Sequence, residues 1–161
     1  MTETAGSTIT VAPGDPRDPE ATALLQASHA LMQSLFPAEA NHYLSIDALC
    51  VPAISFYVAR RGDRTLGCAA LALKEDAEGR YGELKSMFVA PEARGAGAGR
   101  ALLDRVEAKA RERSLPLLRL ETGSKLHAAH RLYAAQGFAE RGPFGDYPDS
   151  PHSLFMEKRL A

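Results

Sequence analysis

Cysteine is scarce in this sequence. Cys50 and Cys68 are the two in 161 residues, too few for a disulfide framework, and they belong to neither a CxxC pair nor a zinc-ligand spacing. A reducing compartment is the expected setting. Net charge is scarce too: 19 Lys and Arg stand against 20 Asp and Glu, leaving −1. That balance supplies no field to gather nucleic acid or anionic lipid, so neither is expected as a partner and any anion site must be local. Long apolar runs are missing, since no segment approaches the roughly 20 apolar residues of a membrane-spanning helix. The opening MTETAGSTITVAPGDPRDPE has neither a basic start nor a long apolar stretch, and a cytoplasmic location is the expectation. No repeat period, GxSxG or HExxH string occurs, which speaks against solenoid, serine-hydrolase and zinc-protease readings.

What is present is ordinary globular material. Hydrophobic residues make up 45% and charged residues 24%, in a length that suits a single domain over residues 1–161. A first strand is expected at Ser7–Val11. After Asp18, apolar residues Ala21, Leu24, Leu25, Leu31, Met32 and Leu35 recur at helical spacing and stop before Pro37. A second helix is expected over about Glu39–Leu49. Ile54–Arg60 and Thr65–Leu73 read as a hairpin joined at Gly62-Asp63, and Arg80–Val89 as the next strand. From about Gly97 the chain turns helical, with Ala98, Leu102, Val106 and Ala110 four apart on one face. Leu115–Thr122 is a near-continuous apolar strand, and the helix before it predicts a parallel βαβ unit at the sheet centre. A helix over about Lys125–Gln136 ends at Gly137, and two short strands, Phe138–Glu140 and Ser153–Lys158, close the chain.

The most informative segment is Arg94-Gly95-Ala96-Gly97-Ala98-Gly99-Arg100, which follows a predicted strand and opens a predicted helix. Glycines let backbone approach a ligand, and the first-turn N–H groups of a helix have no intrahelical partner and face an anion. Two arginines flank them, so a phosphate or pyrophosphate is the expected guest. A Walker A loop is excluded because Arg100 and Ala101 stand where Lys and Ser/Thr are required. The dinucleotide fingerprint is excluded because Arg100 or Leu102 occupies the third glycine position.

The pattern R-x-x-G-x-G, here Arg94, Gly97 and Gly99, closely resembles the acetyl-CoA-binding motif of the GNAT family of N-acetyltransferases. A second block, Ala129-x-x-Leu132-Tyr133-x-x-x-Gly137-Phe138, is similar to that family's A-x-x-L-Y-x-x-x-G-F signature. The resemblance implies an α/β fold with a mixed central sheet of about seven strands, flanked by about four helices around a central parallel βαβ unit. It implies acetyl-CoA as cosubstrate, no metal, an amine as acceptor, and direct transfer in a ternary complex. It also allows a homodimer.

Carried over residue by residue, the resemblance has the main chain of Met87, Phe88 and Val89 binding the pantetheine arm as an added strand would. The N–H groups of Gly95, Ala96, Gly97, Ala98, Gly99 and Arg100 hold the pyrophosphate, and the Met87 N–H polarises the thioester carbonyl. Glu83 stands at the family position of a general base, with Glu121 as the second candidate, and Tyr133 at that of the proton donor to the leaving thiolate. Two plainer readings stay open: Glu83 as a strand carboxylate paired with Lys85, and Tyr133 as core filling beside Ala129 and Leu132. Leu126 departs from the family, where many relatives carry Asn or Gln; Ser124 and Lys125 are nearby. Asp146, Tyr147 and His152 fall where family members shape the acceptor pocket. His127 and His130 read as a solvated or packed pair, and neither cysteine is nominated as an acyl carrier. A non-catalytic acyl-CoA-binding module is the alternative function.

Overall fold

The computed structural model describes residues 8–160. Seven strands, β1 (Ile9–Pro13), β2 (Ile54–Arg61), β3 (Arg64–Asp76), β4 (Gly79–Val89), β5 (Leu117–Gly123), β6 (Ala139–Arg141) and β7 (Ser153–Arg159), form one sheet in the order β1-β2-β3-β4-β5-β7-β6. Only the β4–β5 pair is parallel, and α2 (Ala98–Glu112) connects those two strands as the expected βαβ unit. The other helices are α1 (Pro19–Leu35) and α3 (His127–Ala135). Among the described residues no helix is long and apolar enough to cross a membrane.

Local chemistry accounts for most element boundaries. Pro19 opens α1, where a missing N–H costs nothing, and Pro37 follows its end. Gly62, at φ 58°, turns the β2–β3 hairpin so that Arg61 faces Arg64. In α2, Ala98, Leu102, Val106 and Ala110 are all buried, as their spacing predicts, and pack with Leu71, Leu118 and Leu120 in the main core. Each fully buried leucine there contributes about 1.5–3 kcal/mol.

The expected helix over Glu39–Leu49 does not form. Two 3₁₀ turns, Ala38–Ala40 and Ala48–Cys50, flank an irregular stretch, so among the described residues three α-helices rather than about four accompany the sheet. Polar side chains compete with helical bonding there: Ser45 Oγ accepts the Ala48 N–H at 3.1 Å. Tyr43 is held outward from any helical repeat by stacking on His29 at 4.0 Å and by a 2.8 Å bond to its hydroxyl from Gln33. The first strand covers Ile9–Pro13, two residues later than expected, and Ser7 lies outside the described residues.

The feature that positions the site is a fork in the sheet. On β3, Cys68 faces Phe88 while Ala70 faces Lys85, so Ser86 and Met87 of β4 stand opposite Ala69 alone. This bulge puts Ser86 at φ 54° and bends the strand. The β4–β5 register accordingly contains three pairs, Gly82–Leu118, Glu83–Arg119 and Leu84–Leu120, and then stops. Beyond Leu84 and Leu120 the two strands share no rungs, leaving a cleft between their free edges.

Candidate active site

The fork exposes strand edges in the middle of the sheet. From Lys85 to Val89, β4 has β3 on one side and no strand on the other, which places Met87, Phe88 and Val89 along an open edge. An extended ligand meets unpaired main-chain donors and acceptors there.

The glycine-rich turn follows directly. Pro91–Ala93 form a 3₁₀ turn, Gly95 and Gly97 adopt φ 83° and 94°, and Gly97 caps α2. No side chain caps this helix end, and its first backbone bond runs from the Ala101 N–H to the Gly97 carbonyl. Among the described residues the N–H groups of Gly95, Gly97, Ala98, Gly99 and Arg100 therefore have no acceptor, whereas that of Ala96 donates to the Ala93 carbonyl. Arg94 and Arg100 are exposed and, among the described residues, in no ion pair. The three glycines serve different needs. Gly95 and Gly97 supply left-handed backbone, while at Gly99 a β-carbon would come within 2.8 Å of Leu132.

The second motif is thereby explained. Leu132 on α3 packs against the first turn of α2 at Gly99, and Ala129 and Tyr133 line the cleft. Gly137, at φ 96°, ends the helix so that Phe138 tucks in beside Tyr133, ring centres 5.9 Å apart. Tyr133 is 5% exposed, and its hydroxyl has no hydrogen-bond partner in the protein among the described residues. Burial pushes its pKa upward and the Glu121 carboxylate adds to the shift, so the phenol keeps its proton through neutral pH.

The two candidate bases sit on either side of the fork in different states. Glu83 is 3% exposed. Its Oε2 accepts the Tyr147 hydroxyl and lies 3.6 Å from the Lys85 ammonium. Lys85 also donates to the Tyr147 oxygen at 2.8 Å and to the His42 carbonyl at 3.1 Å. Burial, and then the Glu83 charge, hold the Tyr147 pKa far above its ordinary value. Glu121, one residue past the last β4–β5 pair, is half-buried on the cleft wall and accepts a 2.7 Å bond from Ser153. Sequence reasoning did not single out Lys85 as more than a partner for Glu83. Asn41 and Ser86, whose Oδ1 and Oγ are buried on the cleft wall without partners, were missed. Neither belongs to a motif, and only folding brings them there.

Other sequence candidates resolve simply. Leu126 lines the cleft, so an apolar side chain occupies the position where many relatives have an amide. Ser124 gives its N–H to the His152 carbonyl, and Lys125 donates to the Leu35 carbonyl. Asp146 is exposed, whereas Tyr147 reaches Glu83 and His152 reaches the cleft. His130 bonds the Gly123 carbonyl at 2.8 Å and meets the His127 ring edge-on. Both cysteines are free, and burial raises the Cys68 pKa to about 12, which suppresses thiolate chemistry.

Comparison with known proteins agrees with this geometry. The profile of the acetyltransferase (GNAT) family matches residues 22–138. An IAA acetyltransferase of Azospirillum brasilense is 47% identical over 152 residues, covering 94% of this chain and 98% of the relative. A solved structure from Klebsiella pneumoniae, described as an acyl-CoA N-acyltransferase, is 35% identical with a TM-score of 0.77, covering 96% of this chain and 99% of that one. A GNAT-family acetyltransferase from Elizabethkingia anophelis with acetyl-CoA bound shares the fold at 20% identity and a TM-score of 0.64, over 94% of this chain and 98% of its own. A forked parallel strand pair, an uncapped glycine-rich helix start beside it and a tyrosine at the cleft are thus carried by a chain that belongs to the GNAT family of acetyltransferases.

Proposed function

We propose that this acetyltransferase uses acetyl-CoA to acetylate a primary amine, the amine attacking the thioester directly in a ternary complex. The observation that carries this reading is the set of unpartnered N–H groups at Gly95 and Gly97–Arg100, flanked by unpaired Arg94 and Arg100 and opening beside the free edge of β4. A pyrophosphate satisfies the turn through helix-end donors and two cations. The β4 edge then aligns the pantetheine arm, and the Met87 N–H supports charge on the thioester oxygen. The acetyl-CoA complex of the Elizabethkingia anophelis neighbour supports the same cosubstrate.

The attacking amine must be neutral, so a carboxylate has to take its proton. Glu83 is our assignment. Its position at the last paired rungs puts it at the base of the fork, and the Tyr147 hydroxyl on its Oε2 extends its reach through a hydrogen-bonded relay. Tyr133 then protonates the departing thiolate. Free Cys50 and Cys68 play no part in the transfer.

Calorimetry with acetyl-CoA tests the proposal. The unaltered chain binds, and Arg94→Glu weakens binding by about 10–100-fold, the value of losing a charge-assisted contact and adding a repulsive one. No heat with the unaltered chain, or equal affinity in the variant, removes the carrying observation. Glu83→Gln is expected to bind the coenzyme normally and to lose about 10²–10⁴-fold in turnover, most severely at and below neutral pH where the amine is protonated. A rate profile superimposable on the unaltered enzyme takes Glu83 out of the proton path. The non-catalytic alternative predicts coenzyme binding with no CoA release over a broad amine panel.

A further inference from the structure

The acceptor side of the cleft has a charge and hydrogen-bond pattern of its own. The cleft as a whole, its Met87 and Tyr133 end included, has a volume of about 120 Å³, so its acceptor side suits a small body. Rings form much of the wall: Phe36, Tyr43 and His152, with His152 edge-on to Phe36 at 6.1 Å. One lysine and one carboxylate, Lys85 and Glu121, stand on that wall beside the imidazoles of His42 and His152. They are not equivalent. Lys85 is already neutralised by Glu83 and donates to two oxygens, those of Tyr147 and His42. Glu121 has a single hydroxyl, that of Ser153, and among the described residues no cation. The cleft therefore carries one surplus negative charge, and it sits at the fork.

The unsatisfied polar atoms complete the pattern. Asn41 and Ser86 line the same cleft, and among the described residues their Oδ1 and Oγ are buried without hydrogen-bond partners. A buried carbonyl oxygen left without a donor costs about 1–3 kcal/mol. The backbone near Asn41 is tied down by the Tyr43–His29 stack and the Gln33 bond to Tyr43. A carboxylate on the wall, with two unpartnered oxygens on residues that line it, suits a ligand head with N–H donors and positive charge.

We infer that the acceptor enters as a compact primary ammonium with a ring or short alkyl body and no carboxylate, held by Glu121 and Asn41 Oδ1 before Glu83 removes its proton. This rests on the acetyl-CoA reading above and specifies its second substrate. A free amino acid is disfavoured because its carboxylate meets the surplus charge of Glu121, while the one nearby ammonium, Lys85, is engaged. Glu121 and Asn41 are specificity residues for the amine.

The test measures CoA release at saturating acetyl-CoA for matched pairs: phenethylamine against phenylalanine, isobutylamine against valine, and phenylalaninamide as the neutralised form. Expected is a preference of about tenfold or more in kcat/KM for each amine over its amino acid, with the amide restored toward the amine. Glu121→Gln and, independently, Asn41→Leu are each expected to raise the amine KM by about tenfold, with kcat little changed and acetyl-CoA affinity intact. Equal or better use of the amino acids overturns the inference. So does a fall in kcat at constant KM in Glu121→Gln, which makes that carboxylate the proton acceptor instead. A chain that binds acetyl-CoA yet turns over none of the panel overturns the acceptor class alone. A chain that binds no acetyl-CoA overturns the underlying coenzyme reading.

Discussion

Tyr133→Phe is expected to lower kcat by about 10²–10⁴-fold while leaving acetyl-CoA affinity and thermal stability near those of the unaltered enzyme. The reason lies in how the ring and its hydroxyl are used. The ring is buried against Phe138 and belongs to the main core, so phenylalanine fills the same space. Among the described residues the hydroxyl has no hydrogen-bond partner, so its removal orphans none of them. Its raised pKa, caused first by burial and then by Glu121, keeps the phenol protonated at working pH and able to donate when a thiolate departs. Steady-state CoA release together with a melting curve separates the roles. A folded variant with undiminished kcat assigns the tyrosine to packing alone.

Arg119→Met is expected to cost about 3 kcal/mol in urea unfolding, the lower end of the range for breaking a buried ion pair. Arg119 is 2% exposed in the middle of β5, directly opposite Glu83 in the parallel register. Its guanidinium donates to Glu157 at 2.9 Å, Asp76 at 2.8 Å and Glu78 at 2.6 Å, and stacks over Tyr81 at 4.5 Å. Methionine matches the stem but leaves these carboxylates facing one another. The cost stays near the low end because their side chains reach water and Glu157 keeps Arg141.

The same cluster sets the acid limb of stability. For Asp76 and Glu157, burial opposes ionisation, but hydrogen bonds outweigh it. Asp76 accepts from the Glu78 N–H and Arg119, and Glu157 from Arg119 and Arg141, so both pKa values lie below the ordinary range. Carboxylates depressed in the folded state contribute stability above their unfolded pKa of about 4, and that contribution is lost as pH falls through the folded values. The unaltered protein should therefore lose melting temperature below about pH 4, and Arg119→Met should show a flatter acid limb. An equally steep limb in the variant places the acid sensitivity elsewhere. Because the cluster closes the paired base of the fork, its loss also loosens the geometry on which the cleft depends.

The sequence was most informative where neighbours in the chain carry the physics. Three glycines after a strand and before a buried-face helix specify a helix start with free N–H donors, because φ sign and orphan donors are properties of a few consecutive residues. The motif Ala129–Phe138 was legible for the same reason. Arg119 shows the limit: LPLLRLET announced a buried strand, but its carboxylate partners come from 43, 41 and 38 residues away in sequence. The stretch after Pro37 shows another, since its apolar residues suggested a helix until Tyr43 found His29 across a turn.

Sequence alone thus pointed to the family, the glycine-rich turn and the order of the strands and of three helices, though not to the irregular stretch after Pro37, because these are encoded in short spacings that hold wherever the segment lies. Tertiary structure decided which carboxylate is capped and which is open. The bulge at Ser86 splits β4 from β5, the loop before β7 delivers Tyr147 to Glu83, and the turn after α1 delivers Asn41 to the cleft. Those placements follow from strand register and loop docking, which sum many contacts between residues distant in the chain, and no local pattern of side chains encodes such a sum.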